Sequence, residues 1–190
     1  LLLMGPVGAG KSALIDSVKR ALENADNHYY LDGCPIREEP LHLIPRSLRP
    51  QFEEILGVHI EGDLCPLCRH RLIEEFNGVY EDFPVRETSF SQRGRRGISV
   101  VPPMDANSQD VSVLIGTEDI SKLDMYSEDD PRVLSLNGAF NVGNRGIVEF
   151  VEVFKNEIEF LHTMLTATQE KRVPSPGKND MIYFDGVILS

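Results

Sequence analysis

The sequence predicts an α/β domain with a largely parallel sheet flanked by helices. Three observations point there: an apolar run at residues 1–4 passes through a glycine-rich turn into a helical segment, strand-like and helix-like runs alternate further along, and no internal repeat or low-complexity tract competes. At 190 residues the length fits one domain, and an apolar fraction of 41% with 26% charged residues allows a buried core and argues against wholesale disorder.

The elements follow in order. Residues 1–4 read as a buried strand and residues 11–25 as a helix, in which Leu14, Val18 and Leu22, with Ile15 beside them, form a stripe for packing on a sheet. Residues 28–32 (HYYLD) read as a second strand because aromatics favour a pleated, half-buried surface, which makes the opening a βαβ unit. Residues 47–56 read as a short helix with Leu48, Phe52 and Ile55 on one face, and residues 69–76 as another after a Pro-containing turn. The runs VRETSF and GISVVPP meet at the basic turn QRGRRG, a hairpin-like arrangement. A small cysteine-containing insertion is expected at about residues 33–104.

Residues 105–143 are mostly polar, without sustained apolar period apart from 111–115, and are expected to be the least ordered stretch. Residues 146–154 (GIVEFVEVF) read as a strand, 157–166 as a helix carrying Ile158, Leu161 and Leu165, 172–180 as a Pro/Gly/Lys loop, and 181–190 as a last strand. Because both ends fall inside apolar strands and the first residue is Leu, a fragment truncated at both ends is expected.

Charge and cysteine usage narrow the function classes. Nineteen Lys and Arg against 30 Asp and Glu give a net charge of −11, which disfavours binding to a nucleic-acid backbone through bulk positive charge. No apolar run approaches the roughly 20 residues of a membrane-spanning helix. Three cysteines, an odd count with no secretory signal before them, fit a reducing compartment, so a cytoplasmic location is expected.

Gly5-Pro6-Val7-Gly8-Ala9-Gly10-Lys11-Ser12 fits G-x-x-x-x-G-K-[ST] without mismatch, with a strand before it and a helix after it. Glycines let backbone N–H groups close around a phosphate, and the helix adds its positive dipole end. Lys11 would reach the β- and γ-phosphates of ATP, and the Ser12 hydroxyl would be a ligand of Mg²⁺. Such a site needs an acidic partner at the end of a neighbouring strand, and the candidates are Glu149 and Glu152 in NRGIVEFVE, residues 144–152. Along a regular strand Glu149 and Val151 would share one face, Phe150 and Glu152 the other. Position at the strand's C-terminal end favours Glu152 as the group acting on water. Glu149 is then either close to Mg²⁺ or an acid buried beside a basic partner.

In N-R-G, four residues and an acidic pair, this segment resembles the second acidic motif of AAA+ ATPases, a class of P-loop NTPases. In that register Glu152 falls on the catalytic Glu, and Val151 stands where Asp is usual. LIGTEDI, residues 114–120, is similar to the hydrophobic-Gly-x-x-Asp-Ile segment of the magnesium chelatase branch. GPVGAGKS, GCPIREEPLHLIP, GDLCPLCRHRLIEEFNG, SQDVSVLIGTEDI, NRGIVEFVEVFK and LTATQE, in that order, resemble the AAA domain of PrkA-type serine protein kinases over nearly the whole chain. In that family glutamates replace the usual Asp-Glu. The resemblance implies an AAA+ domain that binds and hydrolyses ATP with Mg²⁺, forms a homo-oligomer and belongs to a protein kinase acting on an unidentified protein substrate. Its kinase-like region would lie C-terminal to this domain. A second reading is a nucleotide-dependent oligomerisation scaffold with little hydrolysis.

A eukaryotic-type kinase site is not legible. His70-Arg71-Leu72 with Asn77 mimics the H-R-D loop spacing, but Leu72 stands in place of the Asp, and Phe184-Asp185-Gly186 is not D-F-G. Cys65-Pro66-Leu67-Cys68 has the spacing of a zinc knuckle; Cys34 would be a third ligand, with His42, His59 or His70 as the fourth. Unliganded thiols are the alternative, and a redox C-x-x-C fits poorly after an acidic loop. Arg93, Arg95 and Arg96 read as a solvated turn, and His162 as a packing residue on its helix.

Overall fold

The computed structural model describes residues 1–5, 9–103, 110–153, 158–177 and 180–190. Its elements are α1 (Lys11–Glu23), β1 (His28–Leu31), α2 (Arg49–Leu56), α3 (Pro66–Glu74), β2 (Val85–Thr88), β3 (Ile98–Val101), α4 (Ser112–Ile115), β4 (Thr117–Glu118), β5 (Leu134–Ser135), α5 (Ala139–Val142), β6 (Ile147–Phe150), α6 (Ile158–Gln169), β7 (Arg172–Pro174), β8 (Met181–Tyr183) and β9 (Val187–Leu189), with short 3-10 turns between them.

The centre is a parallel sheet in the order β3–β6–β9, with Ile98 opposite Ile147 and Ile147 opposite Val187. The opening residues lie along the outer edge of β9: Ser190 N–H donates to Leu1 O at 3.1 Å and Leu3 N–H donates to Ser190 O at 2.6 Å. These bonds dock residues 1–3 on the sheet without completing a regular strand. All four residues of β6 are buried, as befits a strand covered on both faces. Close approach of β6 to β3 requires Gly146, where a Cβ would stand 1.9 Å from the Gly97 carbonyl oxygen.

One face of the sheet is covered by α1, through Ile15 against Ile147 and Leu189 with Leu3 and Leu22 at the margin. The expected stripe is displaced: Leu14 and Val18 are 52% and 42% exposed, while Lys19 is buried. A stripe counted from apolar residues alone misses this rotation, because the buried face of α1 includes a lysine with a charge partner in the sheet. The other face packs against α5, where Phe140 meets Phe150 and Phe184 at ring-centroid distances of 5.9 and 5.2 Å. Burial of such a ring contributes about 1.5–3 kcal/mol.

Several expectations are corrected. β1 does not join the parallel sheet; it forms a separate antiparallel ribbon with β2, Leu31 opposite Val85, so the opening is no βαβ unit. The turn around QRGRRG is closed by paired Ser91 and Arg96 backbone bonds, but its arms diverge, one to β1 and the other, as β3, to the core sheet. That edge strand lies within the range expected for an insertion. Residues 110–143 are not the least ordered part: Leu114, Val133, Leu136 and all of α5 are buried. Four-residue helices are too short to display a helical period, so the sequence pattern conceals them. Residues 104–109 lie outside the described residues.

The strand expected over 146–154 ends at Phe150, and the final run is split at Asp185-Gly186 into β8 and β9. The expected loop at 172–180 contains β7, which pairs with β8. α2 buries none of its residues, and Ile55 is 79% exposed. Among the described residues no helix is long and apolar enough to cross a membrane.

Candidate nucleotide site and buried cysteine cluster

The first centre lies at the C-terminal edge of the parallel sheet, where ligands of open α/β sheets bind. Gly10 precedes α1 with φ 79°, a left-handed conformation that glycine adopts without a Cβ penalty. Neither a side-chain cap nor an acidic residue in the first turn of α1 competes for its initial N–H groups, so the positive end of the helix faces the cleft. Lys11 folds back so that its ammonium donates to the Gly5 carbonyl, and Ser12 is exposed beside it. Pro6, Val7 and Gly8 lie outside the described residues.

Gly10, Lys11, Ser12, Glu149, Glu152 and Ser190 line one cleft of about 630 Å³. That volume lies within the range of small-molecule sites. The two glutamates differ in setting. Glu149 is buried, and its Oε2 accepts from Lys19 Nζ at 2.6 Å, while Lys19 also meets Asp16 Oδ1 at 2.9 Å. Burial opposes the Lys19 charge, but its hydrogen bonds to Asp16 and Glu149 outweigh this and hold its pKa above the ordinary lysine value. The bond to Lys19 keeps the Asp16 carboxyl below the usual range.

Glu152 is exposed and sits in the turn after β6 with φ 54°. For a residue with a side chain this conformation costs about 1–2 kcal/mol. Because β6 ends at Phe150, strand alternation does not extend to Glu152: Phe150 is buried at the floor of the cleft that Lys11 and Ser12 line, and the turn carries Glu152 to the same cleft.

The N-R-G element anchors the opposite end of β6. Asn144 Nδ2 donates to Ile36 O at 3.1 Å, its Oδ1 accepts from Asp185 N–H at 3.0 Å, and Arg145 donates to Tyr29 O and pairs with Glu39, both at 2.5 Å. β6, which bears Glu149 and leads into the turn of Glu152, is thereby tied to the loop that follows β1.

That loop holds the second centre. Cys34, Glu38, Cys65 and Cys68 are all buried, and their ligand atoms lie within 4.8 Å of one another. Cys65 caps α3: its Sγ accepts the Cys68 N–H at 3.4 Å. Glu38 Oε1 accepts the Cys65 N–H at 2.7 Å and faces His42 Nδ1 at 3.1 Å; Oε2 is 3.9 Å from Cys34 Sγ. Burial pushes the Glu38 carboxyl up. Burial also raises the Cys34 thiol, but hydrogen bonds from Cys65 and Cys68 outweigh it and hold Cys34 well below the usual thiol value, while Cys65 and Cys68 are pushed up by the same bonds. The three thiols form no disulfide.

The fourth group is Glu38, where a histidine was expected. His42 stands behind Glu38 rather than in the cluster, His59 pairs with Glu53 on the surface at 2.8 Å, and His70 lies elsewhere on α3. Glu38 follows Cys34 by four residues in GCPIREEP, and that spacing was its only sequence signal. In the kinase-like His70-Arg71 pair Arg71 has a structural part, donating to Asp32 O at 2.6 Å and lying 4.9 Å from the Phe83 ring centre. Arg95 and Arg96 of the basic turn donate to the Asn137 and Ser89 carbonyls at 3.1 and 3.0 Å.

A family model described as the PrkA AAA domain matches residues 1–190. The chain is 43% identical over its full length to a Bacillus subtilis (strain 168) protein named ATP-dependent protease PrkA, of which it spans 31%. It is 34% identical over its full length to the protein named serine/threonine kinase YeaG of Escherichia coli (strain K12), spanning 30%, and equally similar to its counterpart in Escherichia coli O157:H7. The chain thus spans less than a third of the length of these relatives.

Proposed function

The chain belongs to the PrkA AAA domain family, and from that premise we propose that its cleft binds ATP with Mg²⁺ and hydrolyses it. One observation carries the reading: Lys11 and Ser12, at the uncapped start of α1, share a cleft with Glu149 and Glu152 at the end of the central strand. The donor set fits a triphosphate, with backbone N–H groups, one ammonium and one hydroxyl on one wall and carboxylates on the other. Mg²⁺, when bound, would neutralise phosphate charge.

Each residue then has a part. Lys11 would exchange the Gly5 carbonyl for a phosphate oxygen, and the Ser12 hydroxyl would be the side chain that holds Mg²⁺. Glu152 orients the attacking water and takes its proton as the oxygen bonds to the terminal phosphorus and the bond to ADP breaks. Glu149, neutralised by Lys19, fixes the wall of the cleft on which Glu152 is mounted.

Val151, in the position where Asp is usual, favours a second reading, a scaffold that uses ATP to assemble a homo-oligomer and hydrolyses little. The protease and kinase names of the relatives belong to proteins over three times as long. Phosphoryl transfer to a protein serine is therefore a further proposal about the whole protein, as is its cytoplasmic location. Parallel assays of ATP·Mg binding, phosphate release and label transfer to protein decide among them: binding with release supports the ATPase, binding without release the scaffold, and label on protein the kinase. We extend the proposal to metal at the cysteines, reading Cys34, Cys65 and Cys68 as part of a structural metal centre.

A further inference from the structure

We propose that Cys34, Glu38, Cys65 and Cys68 bind one zinc ion as a closed four-ligand centre, with Glu38 as the fourth ligand and His42 as its positioning residue. This rests on reading the cysteines as a metal centre, and it adds the metal, the fourth ligand and the residue that orients it.

The donor set selects the metal. Three sulfurs and one carboxylate within 4.8 Å of one another make a soft, four-point set of the kind that suits tetrahedral zinc. Calcium and magnesium require mostly oxygen ligands. All four residues are buried, so no position is left open to solvent for substrate or water, which marks a structural site rather than a catalytic one. The ligands come from two segments, the loop after β1 and the start of α3, and a shared ion would clamp them together.

The surroundings are those of a ligand shell. The Cys68 N–H points at Cys65 Sγ, and the N-terminal end of the nine-residue α3 faces the cluster, both favouring negative sulfur. Glu38 is held on one oxygen by the Cys65 N–H and His42, which leaves Oε2 turned toward Cys34. Orientation of a ligand carboxylate by such partners is a general feature of metal sites. Zn²⁺ would take the three cysteines as thiolates and Glu38 as a carboxylate, four bonds in all, with whatever protons those groups still carry passing to solvent. The same loop accepts the Asn144 amide through Ile36 O, so the ion would stiffen the anchor of β6 from outside the nucleotide cleft.

The test uses the 190-residue chain without nucleotide, so its outcome is independent of the ATP reading. Elemental analysis after purification without chelator should give one zinc per chain. Cobalt substitution should give the intense visible bands of a tetrahedral site and sulfur-to-cobalt charge transfer. Glu38→Gln should lower zinc affinity by at least about 10-fold and shift the cobalt bands, and His42→Phe should lower affinity about 10- to 100-fold while retaining the three-sulfur charge transfer. A folded wild-type chain without stoichiometric zinc would overturn the metal centre itself. Stoichiometric zinc with unchanged affinity and cobalt spectrum in Glu38→Gln would overturn Glu38 as a ligand and leave the cysteines as the centre.

Discussion

The nucleotide cleft and the cysteine cluster solve opposite problems. In the cleft, Ser12 and Glu152 sit exposed and Lys11 half-buried at the ends of elements, so they can be altered with little effect on the core. In the cluster, Cys34, Glu38, Cys65 and Cys68 are interior groups whose polar atoms bond mainly to one another and to His42, so any change there also acts on folding. Glu149 stands between the two regimes: it lines the cleft, yet it is buried and held by Lys19. A chain can thus carry exposed chemistry on a wall whose rigidity comes from charges out of solvent.

The sharpest way to break this contrast is at Lys19. Lys19→Met should destabilise the fold by about 3–5 kcal/mol, because Glu149 is left buried without its partner. Lys19→Met combined with Glu149→Gln should recover much of that loss. Denaturant unfolding measures both, and a loss below about 1 kcal/mol in the single variant would mean the pair is a surface one. Lys11→Ala should do the reverse, changing stability by no more than about 0.5 kcal/mol while weakening ATP·Mg binding at least about 10-fold, as loss of a charge-assisted bond does. Titration calorimetry on the folded variant checks it, and unchanged affinity would remove Lys11 from the site.

A smaller effect lies at His28, on the ribbon to which Arg145 is bonded. Burial first, then the charges of Arg145 and Arg37, lower its pKa from 6.5 to about 4, and its Nδ1 has no hydrogen-bond partner. The unfolded chain therefore takes up this proton at higher pH than the folded one, so stability falls as pH drops from 6.5 toward 4. His28→Phe, which keeps the stacking on Phe90, should flatten that part of the stability–pH curve relative to wild type. An identical slope in the two proteins would mean His28 is protonated when folded.

The contrast also explains what the sequence could disclose. The glycine loop is legible as a candidate because its residues are contiguous, so that spacing alone carries the pattern. N-R-G and Glu152 stand out by register, although the turn that carries Glu152 does not, since alternation presumes a strand that in fact ends at Phe150. Lys19 is hidden because a lysine reads as solvent-facing until its partner 130 residues away is known. Glu38 is hidden for a similar reason: the cysteine spacing points to a histidine as the fourth group, whereas His42 stands behind a buried carboxylate. Residues 110–143 fail differently, because their apolar side chains are buried one or two at a time in elements too short for any period to emerge.

In the proposed site Glu152, delivered by the left-handed turn after β6, acts on water while Glu149 holds the wall. Single-turnover ATP hydrolysis by Glu152→Gln and Glu149→Gln, with binding measured in parallel, tests it most directly. Glu152→Gln should bind ATP·Mg like wild type and hydrolyse it at least about 100-fold more slowly, since the amide keeps the shape and loses the base. Full hydrolysis in Glu152→Gln together with its loss in a folded Glu149→Gln would contradict the assignment and move the catalytic role to Glu149.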